Sequence, residues 1–231
     1  WSMRPFVNLL WPVAYFVSPR LMILLILKQV ELSLEYGNVA ESTYSYAACG
    51  LILCGIVGDI DAGYQFGQLA LDLLKQLDEK HLKARTTEVF NAHVRLWKEH
   101  IRETLQPLAK NYQTSLEGGD IEYAAYSVYI YLNYSYFIGK PLAPLQEEMA
   151  RYNRAIAKLK QAHVLNWNHL FWQVVLNLMK DSGRPCELIG EVYDENLQLP
   201  RIREANDRMA IHLFHLNKSI LHYLFREYVQ A

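Results

Sequence analysis

Apolar residues recur along this chain with the three- and four-residue spacing of an α-helix. Phe66, Leu69, Ala70, Leu73, Leu74 and Leu77 fall on one stripe, and Val89, Phe90, Val94 and Trp97 on another. Ile101, Leu105, Leu108, Tyr112 and Leu116 continue the pattern. Leu142, Leu145, Met149, Tyr152, Ile156 and Leu159 make a narrower seam, suited to packing against one neighbouring helix. Further stripes follow through Phe171, Val174 and Leu178, and through Met209, Leu213, Leu216, Ile220 and Leu224. No stretch alternates with a period of two, so strands and hairpins are not expected. The spacing predicts about ten helices, over 5–16, 19–36, 40–57, 59–77, 82–98, 100–117, 120–138, 141–161, 164–181 and 202–225. Residues 182–201 read as irregular, with one short helix around 186–193. The fold class expected is all-α, built of antiparallel helix hairpins, with 1–231 as a single helical region.

The breaks carry turn chemistry. Gly37-Asn38, Gly58-Asp59, Gly118-Gly119-Asp120, Gly139-Lys140-Pro141 and Ser182-Gly183-Arg184-Pro185 are the clearest. A glycine just past a helix end suits a left-handed cap, and an aspartate after it can cap the next helix. One turn recurs. Gly58-Asp59-Ile60-Asp61 returns as Gly119-Asp120-Ile121-Glu122, with Gly63 and Ala124 in the small position that follows. Arg226-Glu227-Tyr228, with Ala231, reads as a degenerate third copy. This form resembles the inter-helix turn of tetratricopeptide repeats, and the expectation is a tetratricopeptide-like solenoid. The 61 residues between Gly58 and Gly119 are nearly two periods of about 34, so a strict array is not expected. The third copy ends within a repeat and position 1 is not Met, so the expectation is a window from a longer array.

Composition narrows the class. In 231 residues, apolar types make up 52%, and 23 basic groups face 24 acidic ones for a net charge of -1. Ample apolar content excludes a disordered chain, and 11 Gly with 8 Pro exclude collagen-like or linker-rich sequence. No long segment departs from neutrality by more than one unit, which argues against nucleic acid as a partner. Cys49, Cys54 and Cys186 read as free thiols, in keeping with a cytoplasmic location. The apolar run Leu21–Leu27 is far short of the roughly 20 residues that span a bilayer, so no membrane partner is expected.

Motifs for catalysis are missing. There is no phosphate-binding glycine loop, no HExxH, no GxSxG and no paired CxxC. His212 and His215 lie three apart with His222 a heptad on, and Glu204 or Asp207 could supply a further donor. The plainer reading is a polar face beside a helix contact, as it is for His93 and His100, so no metal and no cofactor is assigned. The helix expected at 120–138 is aromatic around much of its girth. Tyr123, Tyr126, Ile130, Tyr134 and Phe137 form one stripe, with Tyr129, Leu132 and Tyr136 beside it. Either this is a central helix or it lines an aromatic groove. Asn166, Asn168, Gln173 and Asn177 could line a concave polar face or make helix–helix hydrogen bonds. The candidate binding residues are Tyr123, Tyr126, Tyr129, Tyr134, Asn166 and Gln173.

Several stretches in order carry a wider resemblance. They are Leu32-Ser33-Leu34-Glu35-Tyr36-Gly37-Asn38, Tyr46 through Leu53, and Gly63-Tyr64-Gln65-Phe66-Gly67 with Leu69-Ala70-Leu71. Trp97-Lys98, Arg102-Glu103-Thr104-Leu105, Gly119-Asp120 with Tyr123-Ala124, and Tyr223-Leu224-Phe225 with Tyr228 and Ala231 complete them. Together they resemble the helical region of large bacterial signalling kinases. Those proteins join a Ser/Thr-kinase-like domain, a STAND-type ATPase, this region, a GAF domain and often a histidine kinase. The resemblance implies no catalytic residue within this chain. It implies a cytoplasmic regulatory segment whose partners are proteins, the adjoining ATPase and sensor domains first. The alternatives are a small-molecule sensor with an aromatic pocket around Tyr123–Phe137, or a stand-alone scaffold.

Overall fold

A computed structural model describes residues 7–9, 18–77, 80–180 and 183–231. The protein is all-α: among these residues there is no β-strand, only one isolated antiparallel bridge between Ile189 and Asp194. The chain divides into two compact units, Trp1–Tyr131 and Leu132–Ala231. Of the helix expected at 5–16, residues 7–9 are helical and the rest lies outside the described residues.

The first unit holds α1 (Pro19–Tyr36), α2 (Ala40–Ile52), α3 (Ile60–Leu77), α4 (Lys80–Val89) and α5 (Arg102–Glu117). Helix α1 has the bounds its pattern predicts, with Pro19 in its first turn and Gly37 at φ 94° past its end. Helix α2 is central and packs on α1, α3 and α4. Ala40–Val57, α2 with its π-helical last turn, is long and apolar enough to cross a membrane by length and composition, yet 61% of it is buried inside the fold. Helices α2 and α3 meet over small residues. A Cβ on Gly63 would lie 2.4 Å from Cys54 Sγ and 2.8 Å from the Gly50 carbonyl, so only glycine permits this approach. Tyr44, Tyr46, Ala47 and Ile52 from α2 join Ile26, Ala70 and Val89 in the core.

Helix α6 (Ile121–Phe137) contains the division between the units. The second unit then holds α7 (Leu142–Lys158), α8 (Ala162–Met179), α9 (Glu195–Glu204) and α10 (Arg208–Leu224). Helix α8 packs on α7 and α10, and α9 packs on α10. The helix bounds differ from the apolar spacing at two places. No helix forms at 186–193; the helix begins at Glu195, where Asp194 caps it by accepting from the Asn196 N–H at 2.9 Å. The helix expected at 202–225 is broken by Asn206, at φ 50°, and restarts at Arg208 under the Asp207 cap.

The recurring turns share one hydrogen-bond pattern. Gly58 and Gly119 are left-handed, at φ 83° and 77°. Asp59 and Asp120 then accept, through a side-chain oxygen, from the N–H three residues on, at 3.0 and 3.4 Å. The small residue donates back to the acidic one: Gly63 to the Asp59 carbonyl at 2.9 Å and Ala124 to the Asp120 carbonyl at 3.0 Å. In the degenerate copy, Arg226 takes φ 65° and Ala231 donates to the Glu227 carbonyl at 3.2 Å.

Candidate functional site

The irregular segment after α8 is held by side chains of three helices. Asn177 on α8 donates to the carbonyls of Pro185 and Glu187, at 2.9 and 2.7 Å. Lys218 on α10 donates to the Cys186 carbonyl at 2.6 Å and to the Glu195 carboxylate at 3.0 and 3.1 Å. Glu195 on α9 accepts from the Leu188 N–H at 2.9 Å, and its own N–H donates to the Leu188 carbonyl at 2.9 Å. A segment without a helical or strand ladder must place its backbone groups elsewhere, and here side chains take several of them beside short backbone–backbone bonds such as Gly190 N–H to the Tyr193 carbonyl at 2.9 Å.

Between this segment and the end of α8 lies a solvent-open cavity of about 560 Å³. Gln173, Asn177, Lys180, Arg184, Glu187 and Glu191 supply its polar lining, with Leu176 and Ile189 as apolar walls. Gln173 is 4% exposed; its amide N–H donates to Asn177 Oδ1 at 2.8 Å, while its Oε1 has no hydrogen-bond partner. A Cβ on Gly190 would lie 2.4 Å from the Gln173 amide, so the glycine lets the segment close over this side chain. A buried acceptor without a donor costs about 1–3 kcal/mol, and a ligand N–H or O–H would relieve that cost. Mixed charge and an amide floor suit a small polar or zwitterionic molecule.

The six residues named from sequence are divided between the two units. Tyr123, Tyr126 and Tyr129 belong to the first unit; Tyr134, Asn166 and Gln173 belong to the second. Tyr123 is 3% exposed and serves the core. Its hydroxyl shares a 2.9 Å hydrogen bond with that of Tyr44, its ring meets Tyr126 edge-on at 5.7 Å, and the Arg85 guanidinium lies 5.1 Å from its centre. Burial, with Tyr44 and Glu88 nearby, pushes the Tyr123 phenol well above its usual range. Tyr129 is buried as well, while Tyr126, Tyr134 and Asn166 are half-buried. Gln173 lines the cavity, joined by Asn177 from the same polar set. Lys180, Arg184, Glu187 and Glu191 carry no periodic signal that marks them as neighbours.

The three cysteines are free and buried. Burial pushes Cys49 up to about 11, and raises Cys186 with further help from Glu227. His212 and His215 are exposed on α10. His222 instead turns to Glu227, with Nδ1 2.8 Å from Oε2.

No protein-family model matches the chain. No solved structure matches it. Over 150 residues, 64% of its length, the chain is 25% identical to a protein of Dictyostelium discoideum described as "Hybrid signal transduction histidine kinase G". The chain spans only 4% of that protein's length.

Proposed function

We propose that this chain is a non-catalytic, protein-interacting helical-repeat segment of a multidomain signal-transduction kinase. In this reading it couples an ATPase domain to sensor domains in the cytoplasm. The observation that carries the reading is the similarity to a short stretch of a hybrid signal transduction histidine kinase, which supports a signalling context. That relative is not bacterial, so it lends no support to the bacterial part of the expected resemblance. The three like turns at Gly58, Gly119 and Arg226 support a tetratricopeptide-like arrangement of hairpins. Helix pairs so arranged present surfaces to neighbours. The exposed Leu24 and Leu34 of α1, and Tyr223, Leu224 and Tyr228 near the last turn, are apolar surface of the kind that protein neighbours cover. Partner binding would then bias the nucleotide-dependent state of the whole protein by differential affinity. The test is nucleotide turnover of the full-length protein with and without residues 1–231. Unchanged turnover, with no association between the segment and the adjoining domains, defeats the reading.

The cavity at Gln173 favours a second reading, a small-molecule sensor. In this reading the ligand would sit at the end of α8, where Gln173 and Asn177 line the cavity. A thermal-shift screen of polar metabolites tests it. The reading expects stabilisation that Gln173→Leu abolishes, and no stabilising compound would count against it.

A further inference from the structure

The segment that closes the cavity also carries Cys186, and its thiol faces the last turn of α10. Cys186 Sγ, a His222 ring nitrogen and a Glu227 carboxylate oxygen all lie within 4.8 Å of one another. Among the described residues this is the group of three such donors that could hold a cation. Each donor is placed by contacts of its own. Cys186 is fixed through its main chain by Lys218, and the two flanking carbonyls are fixed by Asn177. His222 stands one helical turn beyond Lys218, on the same face of α10. Glu227 is brought back over that turn because Arg226 is left-handed at φ 65°, which lets the Glu227 N–H donate to the His222 carbonyl at 2.8 Å.

We propose that Cys186, His222 and Glu227 form a binding site for a borderline-soft divalent cation of the zinc class. The donor set selects that class. Thiolate and imidazole are poor ligands for magnesium and calcium, which take oxygen donors, while one sulfur, one nitrogen and one carboxylate oxygen suit zinc. Bonds of about 2.0–2.3 Å place tetrahedral donors about 3.3–3.8 Å apart. The 2.8 Å His222–Glu227 contact therefore opens by about half an ångström, and the other separations, none above 4.8 Å, need to close by no more than about 1–1.5 Å. Glu227, with 47% of its side chain exposed, has room to make that adjustment, and its open side is the path of entry. Thiolate and carboxylate together balance the cation's two charges. The nearby Lys218 ammonium is already paired with Glu195 at 3.0 Å, so it does not oppose the ion unscreened. Three protein donors leave one position for water or for a donor from a partner. The bound ion ties the last turn of α10 to the segment at 185–188, which coordinates the cavity wall with the exposed end of the helix.

The test is a titration of the 231-residue chain with Co²⁺ followed by Zn²⁺, read by absorption. One equivalent of Co²⁺ should give a thiolate-to-cobalt charge-transfer band together with tetrahedral ligand-field absorption, and Zn²⁺ should bleach both. Cys186→Ser and His222→Gln should each weaken Zn²⁺ binding roughly tenfold or more and remove the band or shift the ligand-field spectrum. His212→Ala, on the exposed face, should change neither. If Cys186→Ser misfolds by circular dichroism, His222→Gln decides. Absence of a charge-transfer band overturns the proposal. So does a band that survives both variants.

Discussion

Lys218 on α10 holds the main chain of Cys186, its ammonium donating to the Cys186 carbonyl at 2.6 Å across 32 residues of sequence. The same ammonium pairs with Glu195, whose carboxylate accepts from Leu188. One cation thus closes a circuit of α9, α10 and the irregular segment. Lys218→Met leaves Glu195 without its charge partner in a mostly buried setting. The expected loss is about 1–3 kcal/mol in chemical denaturation. Amide exchange should quicken at 186–190 before it does so in α8.

Asn177 should behave as a second pin on the same segment. Asn177→Leu removes the side-chain donor to the Pro185 and Glu187 carbonyls, of which Glu187 keeps the Ile189 N–H at 2.9 Å, and removes the acceptor from Gln173. Stability should fall by about 2–4 kcal/mol, since buried polar groups lose their partners. The cavity should lose any ligand found by screening. An unaltered melting temperature would show that the segment is held by other means.

Helices α2 and α3 touch through glycine, and this contact has a sharp consequence. Gly63→Ala gains roughly 1 kcal/mol of helix propensity. It also drives a Cβ to 2.4 Å from Cys54 Sγ and 2.9 Å from the Cys54 backbone nitrogen. The clash should win, for a net loss of about 1–3 kcal/mol. Gly55→Ala, whose Cβ meets nothing within 4 Å, should leave stability equal or slightly higher. Urea denaturation of the two variants side by side separates clash from propensity.

Asp120 has two duties. It caps α6 through the Tyr123 N–H and pairs with Arg85 Nε at 2.9 Å, with side chains 5% and 15% exposed respectively. Asp120→Asn keeps an acceptor for the cap but leaves the guanidinium unbalanced. It should cost about 2–4 kcal/mol. Arg85→Met with Asp120→Asn removes both charges and should recover much of that loss, so a double-mutant cycle measures the pair directly.

Glu88 on α4 is 5% exposed, and burial pushes its carboxyl up from 4.5 to about 8. In the folded chain it is protonated below about 8, whereas in the unfolded chain it ionises near 4.5. Between those values the native state binds more protons than the unfolded one. The contribution of Glu88 to stability is therefore full below 4.5, falls as pH rises through the window, and is constant above about 8. Glu88→Gln should flatten this part of the pH profile, and the difference between wild type and variant is the readout. Parallel profiles would mean that the carboxyl is ionised in the fold.

Much of the architecture is legible in the sequence because helices advertise their buried faces. Helix α1 runs over the residues its apolar spacing and Pro19 indicate, and the Gly-Asp turns appear where glycine and aspartate stand together. The losses occur where conformation does not follow residue type. Arg226 and Asn206 take left-handed angles without glycine, so one turn looks degenerate and one helix looks unbroken. Residues 183–194 have no periodic signal, because several of their backbone groups are satisfied by Asn177, Lys218 and Glu195 from distant helices rather than by a regular ladder. Gln173 stands out in sequence as a polar residue in a helix, and it does line the cavity. Cys186 and Glu227 do not stand out, since their meeting depends on a turn at Arg226 and on a carbonyl held 32 residues away. The tyrosines stand out by number, and Tyr123 and Tyr129 among them are buried, with Tyr123 surrounded by core contacts.

In the function proposed, this helical segment transmits state within a larger signalling protein. Its most direct test is nucleotide turnover of the full-length protein carrying Leu24→Glu with Leu34→Glu, two exposed positions on α1 whose change spares the core. Turnover should change about fivefold or more while circular dichroism and melting temperature stay as in the wild type. Unchanged turnover in that variant and in the full-length protein lacking residues 1–231 would contradict it.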